Sequence, residues 1–458
     1  MTGTKSVRVD TAGSAPFGGY ARRIGPFSAT MMVVGGIIGS GIFLNPALVA
    51  ERVRTAELTL VVWGLGGCIA LIGALVFAEL GARRPLAGGG YVYLRDAYGG
   101  LPAFLYAWTL LLVIATGAIA AVAVTFASYT ATLLALGPTA RLPLAIGSIL
   151  ILSAVNYVGV RPGAITQNVL TVLKLAALAI LIVAGLILTP SLVPAPPLPA
   201  VPRQELLLAV GAALAPVLFA FGGWQQTNFI AEELTAPERT LPRALVAGVS
   251  IVVAVYLLAN LAYVRTLGVA GLANSSAPAA DAMSSLLGPA GRGLIAAGIA
   301  ISTFGFLNLV ILVSPRVYQA MARDGLFFPQ LGRLHHRYRT PTGAIGFQCI
   351  WAIVLTSTGR YGELLDYVVF GDWIFFGGVA STVFVFRWRE RRGLEDSAPR
   401  FRMPGFPLLP LVFILAALYV VVGSIASNPA NALKGTALIL LGVPVFLFWN
   451  SRKSERTD

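Results

Sequence analysis

Charged residues are scarce in this sequence. Asp, Glu, Lys and Arg together make up 11% of its 458 residues, whereas 57% are hydrophobic and the mean hydropathy is +0.81. A soluble protein carries about 25% charged residues. The composition therefore excludes an ordinary soluble domain and indicates a polytopic helical membrane protein.

Cysteine and histidine are also nearly absent, with two residues of each. Cys68 and Cys349 lie in apolar segments, where small buried thiols are expected and no extracellular disulfide can form. His335 and His336 are neighbours in a basic loop and lack a Cys or acidic partner at a metal-ligand spacing. These absences argue against a membrane metalloenzyme or a His-dependent hydrolase. We expect no catalytic residue, no metal and no cofactor.

The first 26 residues lack a cleavable hydrophobic region. They are polar and basic, so we expect a cytoplasmic tail, with the first apolar run acting as the insertion signal. Apolar runs then alternate with short basic or Pro/Gly-rich segments, and a membrane span needs about 20 apolar residues. The sequence predicts about twelve spans, at 27–50, 58–82, 98–136, 142–160, 163–190, 206–235, 242–267, 291–322, 341–359, 363–387, 407–427 and 432–450.

Basic residues are unevenly distributed between the two sides that twelve spans define. Of the 33 Lys and Arg residues, 24 fall on the side of both termini, 8 fall on the opposite side, and Lys174 lies inside a span. The positive-inside rule then predicts a chain in the cell (inner) membrane with both termini in the cytoplasm. The same asymmetry accounts for the formal charge of +14 through basic loops facing an anionic lipid bilayer, so no nucleic acid partner is expected.

The first span is interrupted by glycines near its middle. The run from Val33 to Phe43 reads VVGGIIGSGIF, with Gly39 and Gly41 on either side of Ser40. Gly costs about 1 kcal/mol relative to Ala inside a helix, and unpaired backbone groups in lipid cost several kcal/mol each. A break is stable only where it is buried in protein or lines a polar cavity. The half-helix after the break points free N–H groups into that cavity, which suits a carboxylate.

The sixth span carries a second glycine pair, in the run FAFGGWQQTN at residues 219–228. The two breaks are about 185 residues and five spans apart. Because five is an odd number, a repeated five-helix unit is inserted upside down the second time. Corresponding broken helices in an inverted repeat indicate the midplane site of a transporter. The alternative is that these glycines serve only close packing between helices.

Several motifs together resemble the amino acid–polyamine–organocation (APC) superfamily. Residues 35–43 look like its first-helix motif. Residues 219–224, followed by Glu232-Glu233-Leu234, are similar to the sixth helix of its L-type amino acid transporter branch. Further similar pieces are FAELG at 77–81, GYVYL at 90–94, AYG at 97–99 and ARDG at 322–325. The resemblance covers nearly the whole chain and implies transport of amino acids by alternating access, not enzyme activity.

The resemblance also implies an all-α, leucine-transporter-like fold, in which two inverted repeats of five helices are followed by two peripheral helices. The corresponding organisation has five parts: a cytoplasmic tail at 1–26, the first repeat at 27–190, the second repeat at 206–387, the peripheral helices at 407–450 and a cytoplasmic tail at 451–458.

A substrate pocket at the two breaks follows from the same resemblance. The N–H groups of Ser40 and Gly41 would bind an α-carboxylate, and carbonyls on both broken helices would bind the α-ammonium. Phe219 would act as a lid over the substrate, with a packing or lipid-facing role as the alternative. The implied substrate-binding residues are Ile37, Gly39, Ser40, Gly41, Phe219, Ala220 and Gly222, of which Ile37, Phe219 and Gly222 supply the carbonyls.

Lys174 stands in the fifth span, at least eleven residues from either end. A charge at this depth is costly and marks a functional candidate, with snorkelling to the surface as the alternative. Some relatives bind a sodium ion that links the first and eighth helices, and several sodium-independent relatives have a lysine there. The resemblance therefore implies sodium independence and a coupling or gating role for Lys174, as a structural tether or as a proton carrier.

Two residues depart from the L-type pattern. Asp372, next to Trp373 in the tenth span, replaces a frequent Asn, and Gln225 replaces the Asn that usually follows Gly-Gly-Trp. Both are candidate pocket or proton sites, and polar neighbours capping Asp372 are the alternative. Asp366 lies in the same span.

Acidic residues at the cytoplasmic ends of helices lie beside arginines in the sequence. We expect Glu79, Glu232, Glu233 and Asp324 to form either surface ion pairs or gate salt bridges. A surface ion pair contributes at most about 1 kcal/mol.

Three functions stay open at the level of sequence. The first is a sodium-independent exchanger or permease for neutral L-amino acids. The second is a proton-coupled or cationic amino acid or amine importer, and the third is an amino acid sensor that transports nothing. In animal L-type transporters a cysteine between helices three and four links a heavy subunit. The corresponding loop, residues 137–141, has no cysteine, so no covalent heavy subunit is expected.

Overall fold

The computed structural model describes residues 19–188, 198–199, 201–359, 361–395 and 399–454. The first half of the chain forms helices α1 (Pro26–Ile37), α2 (Gly41–Val53), α3 (Ala56–Arg83), α4 (Gly90–Tyr98), α5 (Gly100–Thr109), α6 (Ala115–Leu133), α7 (Arg141–Tyr157), α8 (Val160–Ile187) and α9 (Leu206–Ala220). The second half forms α10 (Pro237–Ala273), α11 (Pro278–Val313), α12 (Pro315–Arg323), α13 (Thr342–Thr358), α14 (Tyr361–Arg391), α15 (Leu408–Ser427), α16 (Pro429–Leu440) and α17 (Gly442–Ser454). A π-helix (Leu110–Ile114) joins α5 to α6, and a 3-10 helix (Trp224–Glu233) follows α9. Shorter 3-10 turns cover Pro138–Ala140, Arg203–Glu205 and Pro329–Gly332.

Every predicted span coincides with helical structure over the residues that the structure describes. In the described part of the chain, nine helical stretches are long and apolar enough to cross a membrane, and the bent pair α1–α2 makes a tenth. The two other predicted spans correspond to α13, an apolar helix of 17 residues, and α14, a helix of 31 residues. The predicted all-α polytopic fold is therefore confirmed. The division into two repeats stays a prediction, and residues 1–18, residues 455–458 and the side chain of Asp366 lie outside the described parts.

Two of the long helices are bent near the ends of their spans. Gly268 in α10 and Gly288 in α11 have positive φ angles of 65° and 64°. An L side chain rarely adopts this conformation, so glycine permits the chain to turn there. The predicted eighth span, which begins at residue 291, starts just after the bend at Gly288.

Burial distinguishes the central helices from the peripheral ones. In α1 all seven residues from Met31 to Ile37 are buried, which is expected for a helix surrounded by protein. In α15 the four buried residues, Pro410, Phe413, Ala417 and Val420, recur every three or four positions and define a single face. The broken first span therefore lies at the centre of the bundle, and α15 lies at its edge.

A buried ion cluster fastens α3 to α14. The Glu79 carboxylate is fully buried and accepts hydrogen bonds from Arg83 (2.8 Å), from Arg387 (Nε, 2.9 Å) and from the backbone N–H of Met403 (2.9 Å). Of the two alternatives expected for Glu79, the surface ion pair is therefore wrong, because Arg387, more than 300 residues away in sequence, encloses the carboxylate from a second helix.

We expect Glu79→Ala to destabilise the fold strongly. Removing one partner of a buried ion pair leaves uncompensated charge, at a cost of about 3–5 kcal/mol. Thermal denaturation of the purified protein in detergent checks this, with Glu57→Ala in the exposed first turn of α3 as the control. The control should lose at most about 1 kcal/mol, and equal melting temperatures for the two variants would contradict the assignment.

Candidate functional site

The two broken spans touch each other backbone to backbone. A Cβ atom added to Gly223 would lie 2.1 Å from the carbonyl oxygen of Gly36, and one added to Gly36 would lie 2.9 Å from the carbonyl oxygen of Gly223. Gly223 also has φ +106°, a conformation that side chains rarely adopt. Glycine is needed at both positions so that the chains can approach, and the two breaks form one site.

The structure differs from the sequence prediction in the second half of the sixth span. The segment after Gly223 is a 3-10 helix, with a non-helical residue at Ile230, where a second α-helical segment was expected. The first break is simpler, because α1 and α2 are both α-helices and meet at an angle of 44°.

Lys174 satisfies the carbonyls that the first break leaves unpaired. Its Nζ donates to the oxygens of Gly35 (3.0 Å) and Ile38 (2.8 Å) at the end of α1, and to Ser302 (3.2 Å) in α11. The side chain is fully buried, so it does not snorkel to the membrane surface. An ammonium group has three donors, and all three are used here. Lys174 thus joins α1, α8 and α11.

Two hydroxyl groups that the sequence analysis missed also donate to carbonyl oxygens at the breaks. The Tyr256 hydroxyl in α10 lies within hydrogen-bonding distance of the carbonyl oxygens of Ile37 (3.1 Å) and Ala220 (3.3 Å), one on each broken span, and shares its one proton between them. Ser302 donates its Oγ proton to Ile38 (3.1 Å). A tyrosine inside an otherwise apolar span was the available signal for Tyr256, because a buried phenol needs a hydrogen-bond partner.

A chain of hydrogen bonds between buried polar side chains extends from the first break to α7. Thr171 donates to the carbonyl oxygen of Met31 (3.2 Å) and accepts from Gln167 (3.3 Å). Asn308 in α11 donates to Gln167 (2.9 Å) and accepts from Asn156 (3.1 Å) in α7. The polar groups behind the break therefore connect four helices.

One cavity of about 290 Å³ collects the predicted pocket residues. Small-molecule sites usually span about 300–1,000 Å³, so this volume suits a small ligand. Lys174 lies behind the wall and is not among the lining residues. From the predicted set, the cavity is lined by Ile37, Gly39, Ser40, Gly41, Phe219, Ala220, Gly222, Gln225 and Asp372.

The start of α2 presents backbone donors to this cavity. The first N–H groups of a helix have no partner within the helix. Ser40 and Gly41 stand at this end and line the cavity. A Cβ on Gly41 would lie 2.9 Å from the Cβ of Ala220, so Gly41 also serves packing between the broken spans. Around Gly39 the nearest atom to an added Cβ would be Cδ2 of Phe306, at 3.8 Å, which is an ordinary van der Waals contact.

Carbonyls at the end of α9 lie near the same donors. The Phe219 oxygen accepts from the N–H of Gly222 (3.0 Å), which tightens the last turn, and a carbonyl oxygen can accept a second hydrogen bond. The Phe219 ring is 41% exposed and lines the cavity. Its role as a lid stays a prediction.

The two departures from the L-type pattern have different surroundings. The Gln225 side chain accepts from the N–H of Gly223 (3.0 Å) and so stabilises the turn at the second break. Asp372 lines the cavity. The residue before it, Gly371, packs on Ile114 of the π-helix, and the residue after it is Trp373. No side chain that the structure describes makes a hydrogen bond or ion pair with Asp372, so the expected polar capping is not observed in that part of the chain.

Ionic contacts close the face of the bundle that carries the N-terminus. Arg316 and Glu233 form a fully buried pair (2.7 Å). The carbonyl oxygen of Glu233 also accepts from the backbone N–H of Arg23 (2.9 Å) and Ile24 (3.1 Å). Asp324 pairs with Arg95 (2.8 Å). Glu233 and Asp324 therefore form ion pairs with arginines that are distant in sequence.

We expect Gly39→Val to abolish binding of the amino acid that the resemblance implies, while the protein still folds. An added Cβ would make only an ordinary contact with the Phe306 side chain, so the rest of the valine should extend into the cavity beside the donors of α2. Amino acid binding by the purified protein, measured calorimetrically, should weaken by at least about tenfold, which corresponds to about 1.4 kcal/mol.

Gly147→Val in α7 is the matched control, because an added Cβ there meets nothing within 4 Å and the position lies away from the cavity. Both variants should elute as single species of wild-type size. Wild-type affinity in Gly39→Val would show that the break is structural only.

Comparison with known proteins agrees with this geometry. The amino acid permease family model matches residues 24–448. The human large neutral amino acids transporter small subunit 2 is 34% identical, covering 96% of this chain and 84% of that protein. The mouse b(0,+)-type amino acid transporter 1 is 33% identical, covering 93% and 87%. The serine/threonine exchanger SteT of Bacillus subtilis (strain 168) is 31% identical, covering 95% and 99%. The chain is therefore a multi-pass membrane protein that belongs to the amino acid permease family of the APC superfamily and resembles its L-type branch.

Proposed function

We propose that this protein transports neutral L-amino acids across the membrane by alternating access, as an exchanger or permease that needs no sodium. One observation carries the proposal: backbone donors at the start of α2 and backbone acceptors at the ends of α1 and α9 border the same small cavity. These groups complement the carboxylate and the ammonium that every amino acid carries, so the site fits the common part of the substrate class.

The character of the cavity supports neutral substrates. Apart from Asp372, none of the described lining residues is Asp, Glu, Lys, Arg or His, and most are apolar. The names of the similar proteins describe carriers of large neutral amino acids and of serine and threonine. Nothing in this lining suggests a nucleophile and base pair, so transport accounts for the site better than catalysis.

Sodium independence rests on Lys174. Its ammonium donates to oxygens of both α1 and α11, where a sodium ion would otherwise link the two helices. The ammonium occupies these oxygens, and a second cation at the same oxygens would be repelled.

We base our proposals about a covalent partner subunit and about the membrane location on the sequence and on the names of the similar proteins. The name of the human relative describes a small subunit, whereas the name of the bacterial relative describes an exchanger and mentions no subunit. The loop between the third and fourth spans, residues 137–141, has no cysteine, so we propose that the chain works without a covalent heavy subunit. The bias of basic residues supports a location in the inner membrane with both termini in the cytoplasm.

Uptake by proteoliposomes that contain only the purified chain tests the proposal. A radiolabelled neutral amino acid should enter at the same rate when external sodium is replaced by choline. Vesicles preloaded with unlabelled amino acid, compared with empty ones, distinguish an exchanger from a permease.

Two results would contradict parts of this account. A tenfold loss of uptake in choline would overturn sodium independence. If the purified chain transports no amino acid while membranes containing it do, a missing subunit is indicated.

We expect Lys174→Ala to slow transport more than it weakens substrate contacts. The variant leaves buried carbonyls without a donor, at a cost of about 1–3 kcal/mol, in the helices that must separate. Because a ligand shifts a conformational balance only through different affinities for two states, apparent affinities measured from the two membrane faces should diverge.

The measurement is exchange kinetics in oriented proteoliposomes, with the exposed Lys434→Ala as the control. The maximal rate of Lys174→Ala should fall by at least about tenfold. Unchanged rates and affinities on both faces would remove Lys174 from the mechanism.

A further inference from the structure

Asp372 stands in a mainly apolar part of the cavity wall. This part of the wall is not needed to bind the carboxylate and ammonium of an amino acid, which the two breaks would bind. In α14, Phe375 lies one helical turn from Asp372 and packs edge-on against Tyr106, with ring centroids 5.2 Å apart. Tyr106 and Asp372 both line the cavity, so α5 and α14 form this wall together. The wall also includes Leu110 and Ile114 of the π-helix, a distortion often found at functional sites.

The carboxyl group of Asp372 has acceptor capacity that no described side chain uses. Most of the other residues that line the cavity are apolar. A carboxyl group keeps an acceptor oxygen whether or not it is protonated, so it can accept a hydrogen bond from a ligand in the cavity in either state.

We propose that Asp372 accepts a hydrogen bond from the substrate side chain and makes the site select short hydroxyl-bearing amino acids over apolar ones of the same shape. This assignment rests on the proposed function, since it assumes that the backbone of an amino acid occupies the two breaks. The cavity of about 290 Å³ has room for the side chain of a neutral amino acid. A hydroxyl is the smallest donor that such a side chain carries.

Threonine and valine are the appropriate pair of probes, because they have nearly the same shape and differ by one hydroxyl group. A site that hydrogen-bonds a hydroxyl group strongly discriminates against the analogue without it. In proteoliposomes of the wild-type chain, kcat/KM for threonine should exceed that for valine by at least about tenfold. A smaller ratio overturns the proposal.

Three variants locate the preference. Asp372→Leu removes the acceptor, so the threonine-to-valine ratio should fall at least fivefold, whereas Asp372→Asn keeps an acceptor oxygen and should lose less. Asp281→Asn, a carboxylate that accepts from Ser275 outside the cavity, should leave the ratio unchanged. If Asp372→Leu does not fold, Asp372→Ala replaces it in the same comparison.

The outcomes separate this inference from the proposed function. A ratio that stays within fivefold of wild type in Asp372→Leu, or that falls as far in Asp372→Asn, overturns the hydrogen-bond role of Asp372 and leaves amino acid transport intact. Failure of the wild-type chain to transport either amino acid, or any other, counts against the proposed function itself.

Discussion

The ammonium of Lys174 and the unpaired carbonyls at the end of α1 satisfy one another, and the central site depends on this contact. A helix broken inside a membrane bundle leaves acceptors that neither lipid nor a regular neighbour can satisfy. The three donors of one buried lysine reach Gly35 and Ile38 on the broken helix and Ser302 on α11. These hydrogen bonds thus offset both the cost of burying the charge and the cost of breaking the helix.

Lys174 stabilises the break on the side away from the cavity, so the opposite side of the break can contact a ligand. Tyr256 holds carbonyls of both broken spans, and the glycine contact between residues 36 and 223 brings the spans together. The cavity therefore combines two functions in separate regions: backbone groups that fit any amino acid, and a wall from α5 and α14 that can distinguish side chains. In such an arrangement, changes in that wall alter selectivity without disturbing the shared backbone contacts.

Local patterns in the sequence predicted the spans and both breaks, because a span depends on the length of one apolar run and a break depends on glycines that are close together in sequence. The depth of Lys174 followed in the same way from its distance to the ends of a span. The partners did not follow: Tyr256, Arg316 and Arg387 meet groups more than 30 residues away, and no local pattern specifies such contacts. The 3-10 geometry after Gly223 was also missed, since it depends on packing against α1 and α10.

The central claim is that backbone groups at the two breaks bind the amino acid while Lys174 remains bonded to α1. A high-resolution structure with a bound substrate measures this directly. The account predicts the substrate carboxylate within hydrogen-bonding distance of the N–H groups at Ser40 and Gly41, its ammonium beside the carbonyls at the ends of α1 and α9, and the Lys174 ammonium still in place. A substrate bound elsewhere, or a sodium ion at the oxygens of Ile38 and Ser302 with Lys174 displaced, would contradict it.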